Sequence, residues 1–157
     1  MVTVTRDQKN GLTSIKIAGT IDEHVDLQKE IGAMPVRVNI VCREISQINS
    51  LGVKAWIEFF TRAAASKIQF TFSECPPPIV EQLNYITNFS CGGPVVSVSV
   101  PFTCESCHKE LRGTVKSDDL KKVAYKLPPI KCPKCAAKAF FDDVPEEYFA
   151  FLIRQGH

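Results

Sequence analysis

Long apolar runs are absent from this 157-residue sequence, in which no stretch of about 18 apolar residues occurs. We therefore predict no helix that spans a membrane. The first residues also lack a basic region followed by an apolar run, which is the mark of a secretory signal peptide, so we expect a cytoplasmic protein. The formal net charge is only +2. A charge this small gives no general attraction to nucleic acid or to anionic lipid.

Catalytic motifs are equally scarce. The sequence has no Gly-x-Ser-x-Gly, no glycine loop that would cradle phosphates, and no pair of carboxylates at a distinctive spacing. We therefore expect a protein that is not an enzyme. Its composition, with 45% apolar and 23% charged residues, predicts a packed core rather than disorder.

Cysteine is the residue type that stands out. Two C-x-x-C segments, each called a hook below, lie near the C-terminus: Cys104 with Cys107, and Cys132 with Cys135. Two hooks separated by a loop of this length are typical of a tetrahedral Zn²⁺ site of the zinc-ribbon type. Four thiolates fill every position around the ion, so we predict a structural zinc rather than a catalytic one.

Other chemistry is compatible with the same hooks. Iron in a rubredoxin-like site would use identical ligands. A thioredoxin-type redox pair would need only one hook. Because His108 follows Cys107, the first hook also fits haem c attachment, but that chemistry needs export and leaves the second hook unexplained.

The chain divides into two parts by its apolar pattern. Residues 1–100 predict the order β-β-α-β-α-β-α-β, starting with a hairpin around Asn10 and Gly11 and including a long helix from Asn49 or Ser50 to about residue 66. This order indicates an α/β domain in which helices pack on a mixed sheet. Residues 101–157 carry both hooks and predict a small zinc-ribbon domain with a short helix over residues 146–154.

Two short motifs in the first domain, Gly19-Thr-Ile-Asp22 and Ile48-Asn-Ser50-Leu-Gly52-Val, resemble those of the STAS domain, the fold of bacterial anti-sigma-factor antagonists. The resemblance covers nearly all of residues 1–100 and rests on the motifs and the element order together. It implies a STAS-like mixed sheet with helices packed against it.

The resemblance also implies a function and a site. Ser50 matches the serine that is phosphorylated in that family, while Asn49 stands where the family has an acid. Asp22 matches an acid near the same surface, and Gly52 completes the motif. We therefore expect a regulatory protein that binds an anti-sigma factor or a related serine kinase through Asp22, Asn49, Ser50 and Gly52, with phosphorylation of Ser50 weakening the complex.

Alternative interpretations remain open for these residues. Ser50 or Asn49 could simply cap the helix, which stabilises by about 1 kcal/mol, and the protein would then be a constitutive scaffold. Gly52 could serve tight packing of the helix on the sheet instead of a partner. The ribbon could dimerise the chain, or bind nucleic acid through its lysines between residues 121 and 138, although neighbouring acids make a solvated loop the preferred interpretation.

Overall fold

The computed structural model describes residues 1–155 and shows a mixed α/β fold. Its strands are β1 (Val2–Lys9), β2 (Leu12–Ile21), β3 (Arg37–Val41), β4 (Ile45–Ile48), β5 (Gln69–Ser73), β6 (Ser97–Cys104), β7 (Glu110–Lys116), β8 (Ile130–Lys131) and β9 (Lys138–Phe141). Its helices are α1 (Leu27–Ile31), α2 (Ser50–Ala65), α3 (Pro77–Tyr85), α4 (Ser117–Lys122), α5 (Pro145–Tyr148) and α6 (Ala150–Gln155).

The N-terminal hairpin forms as its sequence predicts. Strand β1 pairs antiparallel with β2 along its whole length, from Val2 opposite Gly19 to Lys9 opposite Leu12. Asn10 and Gly11 turn the chain between them with φ angles of 55° and 77°. A two-residue hairpin turn needs positive φ at both positions, and these two residue types adopt it at the lowest steric cost.

Parallel pairing extends the sheet from β2. Strand β3 pairs with the first half of β2, and β4 pairs with its last residues. Because β1 already occupies the other edge of β2 as far as Gly19, β3 and β4 lie end to end on the same edge. Strand β4 is missing from the predicted order, since only Ile45 of its residues is buried and four residues carry little periodicity.

Helix packing closes one face of this sheet over an aromatic core. Trp56 of α2 is 1% exposed and stacks on Phe89 with ring centroids 5.2 Å apart. Its indole N–H donates to the Phe89 carbonyl at 3.2 Å, which satisfies the one polar group of this side chain. Phe60 and Phe72 pack around the same indole.

A second sheet, with strand order β7-β6-β9-β8, carries both hooks. Strand β6 of this sheet differs from the prediction, which places a strand over residues 95–100 in the first sheet. In the structure β6 runs on to Cys104, while the residues around its start form parallel bridges from Val95 to Phe72 and from Val98 to Cys75. One segment therefore joins both sheets, and residue 100, the predicted end of the first domain, lies inside β6.

The C-terminal helix is divided. Instead of one helix over residues 146–154, α5 ends at Tyr148 and α6 begins at Ala150. Both pack against α3, with Phe149 and Phe151 buried. Among the described residues, no helix is both long enough and apolar enough to cross a membrane.

Candidate metal centre and the surface at the start of helix α2

The two hooks meet in space although 24 residues separate them in the chain. The four sulfur atoms of Cys104, Cys107, Cys132 and Cys135 lie within 4.8 Å of one another. Two of the separations are 3.4 Å, between Cys104 and Cys135, and 3.8 Å, between Cys107 and Cys132. Tetrahedral coordination with metal–sulfur bonds of about 2.3 Å requires sulfurs about 3.8 Å apart, whereas a disulfide requires about 2.0 Å. The arrangement fits a metal ion.

Both hooks use the same backbone turn. The N–H of His108 donates to the Cys104 carbonyl at 3.1 Å, and that of Ala136 donates to the Cys132 carbonyl at 2.9 Å. His108 and Ala136 each follow the second cysteine of a hook and have positive φ angles of 58° and 66°. Each turn directs the two sulfurs of its hook toward the same point. The residues with positive φ are a feature that the C-x-x-C spacing alone does not reveal.

The turns also direct backbone N–H groups at sulfur. The N–H of Cys107 lowers the pKa of the Cys104 thiol to about 6. The N–H of Cys135 likewise lowers the pKa of Cys132. A hydrogen bond to the charged form of a group favours that form, so the first cysteine of each hook is prepared as a thiolate.

Cys107 behaves differently. The N–H of Lys109 lowers its pKa, but partial loss of hydration and the hydrogen bonds with the neighbouring sulfurs outweigh that effect and raise the pKa to about 11. Four adjacent sulfurs cannot all lose their protons without a cation. Binding of a divalent ion is therefore coupled to proton release from this cluster.

Strands and neighbouring turns position the cluster. Cys104 is the last residue of β6, and Cys132 follows β8 directly. These two cysteines are buried, while Cys107 and Cys135 are exposed. A site half covered by protein, in which all four corners are sulfur, leaves no position for a substrate.

The start of α2 is the second predicted site. Asn49 is the N-cap of this helix, and its side-chain oxygen accepts the N–H of Gly52 at 2.9 Å. Its side-chain amide donates to the Glu23 carboxylate at 3.3 Å, a contact that nothing in the sequence indicates. Ser50 is the first helical residue and is exposed.

Asp22 lies beside Asn49 because their strands are paired. Ile21 and Ile48, the last residues of β2 and β4, are partners in the parallel ladder, so the residues that follow them leave the same edge of the sheet together. The carboxylate of Asp22 accepts the N–H of His24 at 2.9 Å. A groove of about 560 Å³, which we call the β4 groove, is lined by both Asp22 and Asn49.

Gly52 is buried against the backbone of the sheet. A Cβ atom on this residue would lie 2.1 Å from the Ile21 carbonyl oxygen. The first turn of α2 therefore packs on the end of β2 more closely than any residue with a side chain allows. The structure places Asp22 and Asn49 together along the β4 groove, with Ser50 exposed next to Asn49 and Gly52 buried against β2.

Comparison with models of known protein families gives no match, and no curated protein matches the chain.

Proposed function

We propose that this chain is a non-enzymatic regulatory module of the STAS type, which binds an anti-sigma factor or a related serine kinase through the surface at the start of α2. Phosphorylation of Ser50 controls that binding. The observation that supports the proposal best is that two adjacent residues have different roles. Asn49 caps α2, whereas Ser50 is exposed next to it. The hydroxyl of Ser50 is therefore accessible to a kinase.

A phosphate on Ser50 would change the interface while preserving the fold. The first turn of a helix has unpaired N–H groups and the positive end of the helix dipole, which accommodate an anion. The phosphate would nevertheless add a charge of about −2 to the surface that a partner contacts. Leu51, which is 54% exposed, supplies an apolar contact next to this charge.

The metal centre has a structural role in this proposal, with Zn²⁺ as the ion. Four sulfurs at tetrahedral separations favour a soft or borderline metal, and zinc and iron are the two that such sites hold. Metal analysis of protein purified from its own cells should find about one zinc per chain. Visible absorption from iron–sulfur charge transfer would instead assign iron.

Two variants test the switch. Ser50→Ala and Ser50→Asp proteins, each tagged and expressed in the native cells, should differ in the partner that they retain, because only the second carries a negative charge at the site. We expect one specific protein to be retained by Ser50→Ala and lost with Ser50→Asp. The control is Ser66→Asp, which places the same charge at the exposed C-cap of α2.

Equal retention by the two Ser50 variants would contradict the switch. It would favour a constitutive scaffold, the function that Asn49 supports, since this residue replaces the acid found in the STAS motif. An intact mass spectrum with and without phosphatase treatment gives an independent measurement, because only the regulated form carries a phosphatase-sensitive mass increment on Ser50.

A further inference from the structure

A second groove lies between α3 and the α5–α6 pair, and we call it the α3–α5 groove. It has a volume of about 640 Å³ and is adjacent to the β4 groove, since Pro77 and Glu81 line both. Nothing in the proposed switch at Ser50 uses it. Its shape and its side chains together indicate a ligand.

One wall of the groove is apolar. Pro77 of α3 and Ala150 of α6, both half-buried, contribute to it, and Tyr85 lines the same groove with 77% of the residue exposed. A large aromatic side chain is exposed at a cost in hydration free energy, and it offers a flat π face to a cation or to an apolar side chain.

The other lining is negatively charged. Glu81 projects from α3, while Asp143, Glu146 and Glu147 come from the start of α5. Within residues 1–155, none of these four carboxylates has a basic side chain within 4.0 Å. The positive end of the α5 dipole accounts for acids in its first turn, but it does not reach Glu81 in the middle of α3.

Hydrogen bonds hold α3 and the α5–α6 pair together in the absence of a ligand. The side-chain amide of Asn84 donates to the Glu147 and Tyr148 carbonyls, both at 3.1 Å, and its oxygen accepts the N–H of Phe151 at 2.9 Å. Arg154 adds a bond to the Leu83 carbonyl at 3.2 Å. A preformed groove binds with a smaller loss of conformational entropy than a flexible surface does.

We propose that the α3–α5 groove binds an arginine-containing basic segment of the protein partner. A guanidinium group can stack on the ring of Tyr85 and bond a carboxylate with two N–H groups, and apolar side chains between the arginines can contact Pro77 and Ala150. This inference rests on the proposed function, since it names the chemistry of the partner that the neighbouring surface would contact.

The probe for the test is a fluorescein-labelled peptide in which three arginines alternate with leucines. Fluorescence anisotropy against the full chain measures affinity, and backbone amide shifts in the NMR spectrum locate the peptide. We expect saturable binding, with shifted amides on α3 and α5. Glu146→Gln with Glu147→Gln should weaken binding at least about fivefold, through lost charge-assisted hydrogen bonds.

Two further variants separate binding in the groove from loss of structure. Glu81→Gln changes a carboxylate away from any helix end and should weaken binding without lowering the melting temperature. Tyr85→Ala should weaken it about threefold through loss of the stacking surface. The matched control is Glu58→Gln, an exposed glutamate of α2 that lies outside the groove.

Equal weakening by Glu58→Gln, or amide shifts away from α3 and α5, would show attraction by overall charge and overturn the proposal. Sedimentation that depends on concentration and is abolished by Glu81→Gln would assign the groove to a second copy of this chain instead. Failure here is distinguishable from failure of the Ser50 switch, because Ser50 lies outside this groove and Ser50→Asp should bind the peptide with unchanged affinity.

Discussion

At the scale of single residues, Asn49 shows why an amide suits the position before α2. Its side-chain amide donates to the Glu23 carboxylate. An acid at position 49 would retain the cap but would face Glu23 as a like charge. Asparagine accepts the hydrogen bond from Gly52 and also donates one to Glu23, so the two side chains do not repel each other.

This relation between Asn49 and Glu23 can be measured. Asn49→Ala should lower the free energy of unfolding by about 1 kcal/mol, through loss of the cap. Asn49→Asp should cost less, because the carboxylate still caps Gly52 and meets the positive end of the helix dipole. The measurement is urea unfolding at pH 7, with Glu23→Gln as the partner variant.

A double-mutant cycle decides the cause. If repulsion explains the cost of Asn49→Asp, that substitution should be harmless or stabilising in a Glu23→Gln background. The two changes would then be coupled by a few tenths of a kcal/mol, as befits exposed charges. Purely additive effects would mean that Glu23 does not influence the choice of residue at position 49.

At the scale of elements, Asn84 connects α3 to the last two helices of the chain. It lies on α3, which packs on the first sheet, and its three side-chain hydrogen bonds all go to the backbone of α5 and α6. The last helices of the chain are short, at 4 and 6 residues, and helices of this length are not stable without tertiary contacts.

Removing this side chain should release those helices. We expect Asn84→Ala to lower the free energy of unfolding by about 2 kcal/mol, because it leaves backbone groups of Tyr148 and Phe151 without their partners. Hydrogen exchange should accelerate at the Phe151 amide. Asn88→Ala, an exposed asparagine just after α3, is the control and should change neither quantity. Unchanged protection of Phe151 would show that apolar packing alone holds α6.

At the scale of the whole molecule, strand β6 couples the metal centre to the first sheet. The residue before it bonds to β5, because the Val96 N–H donates to the Phe72 carbonyl at 2.8 Å, and its last residue is Cys104. Buried side chains from both parts form one core. We therefore expect a change at the cysteine cluster to alter the stability of the N-terminal sheet.

Metal removal tests this coupling with a single reporter. Trp56 is the only tryptophan and lies in the core of the first part, so its fluorescence follows unfolding there. We expect a chelator, or Cys132→Ser with Cys135→Ser, to lower the midpoint of the Trp56 transition, because a metal that binds only the folded state stabilises it. The control is the same chelator added to the Cys132→Ser, Cys135→Ser variant, in which it should cause no further shift.

An unchanged Trp56 midpoint after metal loss would mean that the two parts unfold independently. The metal would then stabilise only the second sheet. A lowered midpoint would establish one cooperative unit, in spite of the change in composition near residue 100 that led us to predict two domains.

Local sequence predicted much of this architecture. The hairpin around Asn10 and Gly11, the long helix α2 and the cysteine hooks all follow from spacing and residue type, because each depends on interactions within a few residues. The strand β4 and the division of the last helix were not predicted, since four-residue segments carry too little periodicity.

The tertiary structure decided what distant segments do to one another. It brings the two hooks to one point, places Asp22 beside Asn49 through the pairing of β2 with β4, and presses Gly52 onto the Ile21 carbonyl. It also connects the start of β6 and the residues before it to the first sheet through isolated parallel bridges, and it forms the α3–α5 groove. Sequence analysis predicted that the two hooks would share one metal ion, but the contacts themselves depend on backbone hydrogen bonds and packing between residues far apart in the chain, which no local pattern specifies.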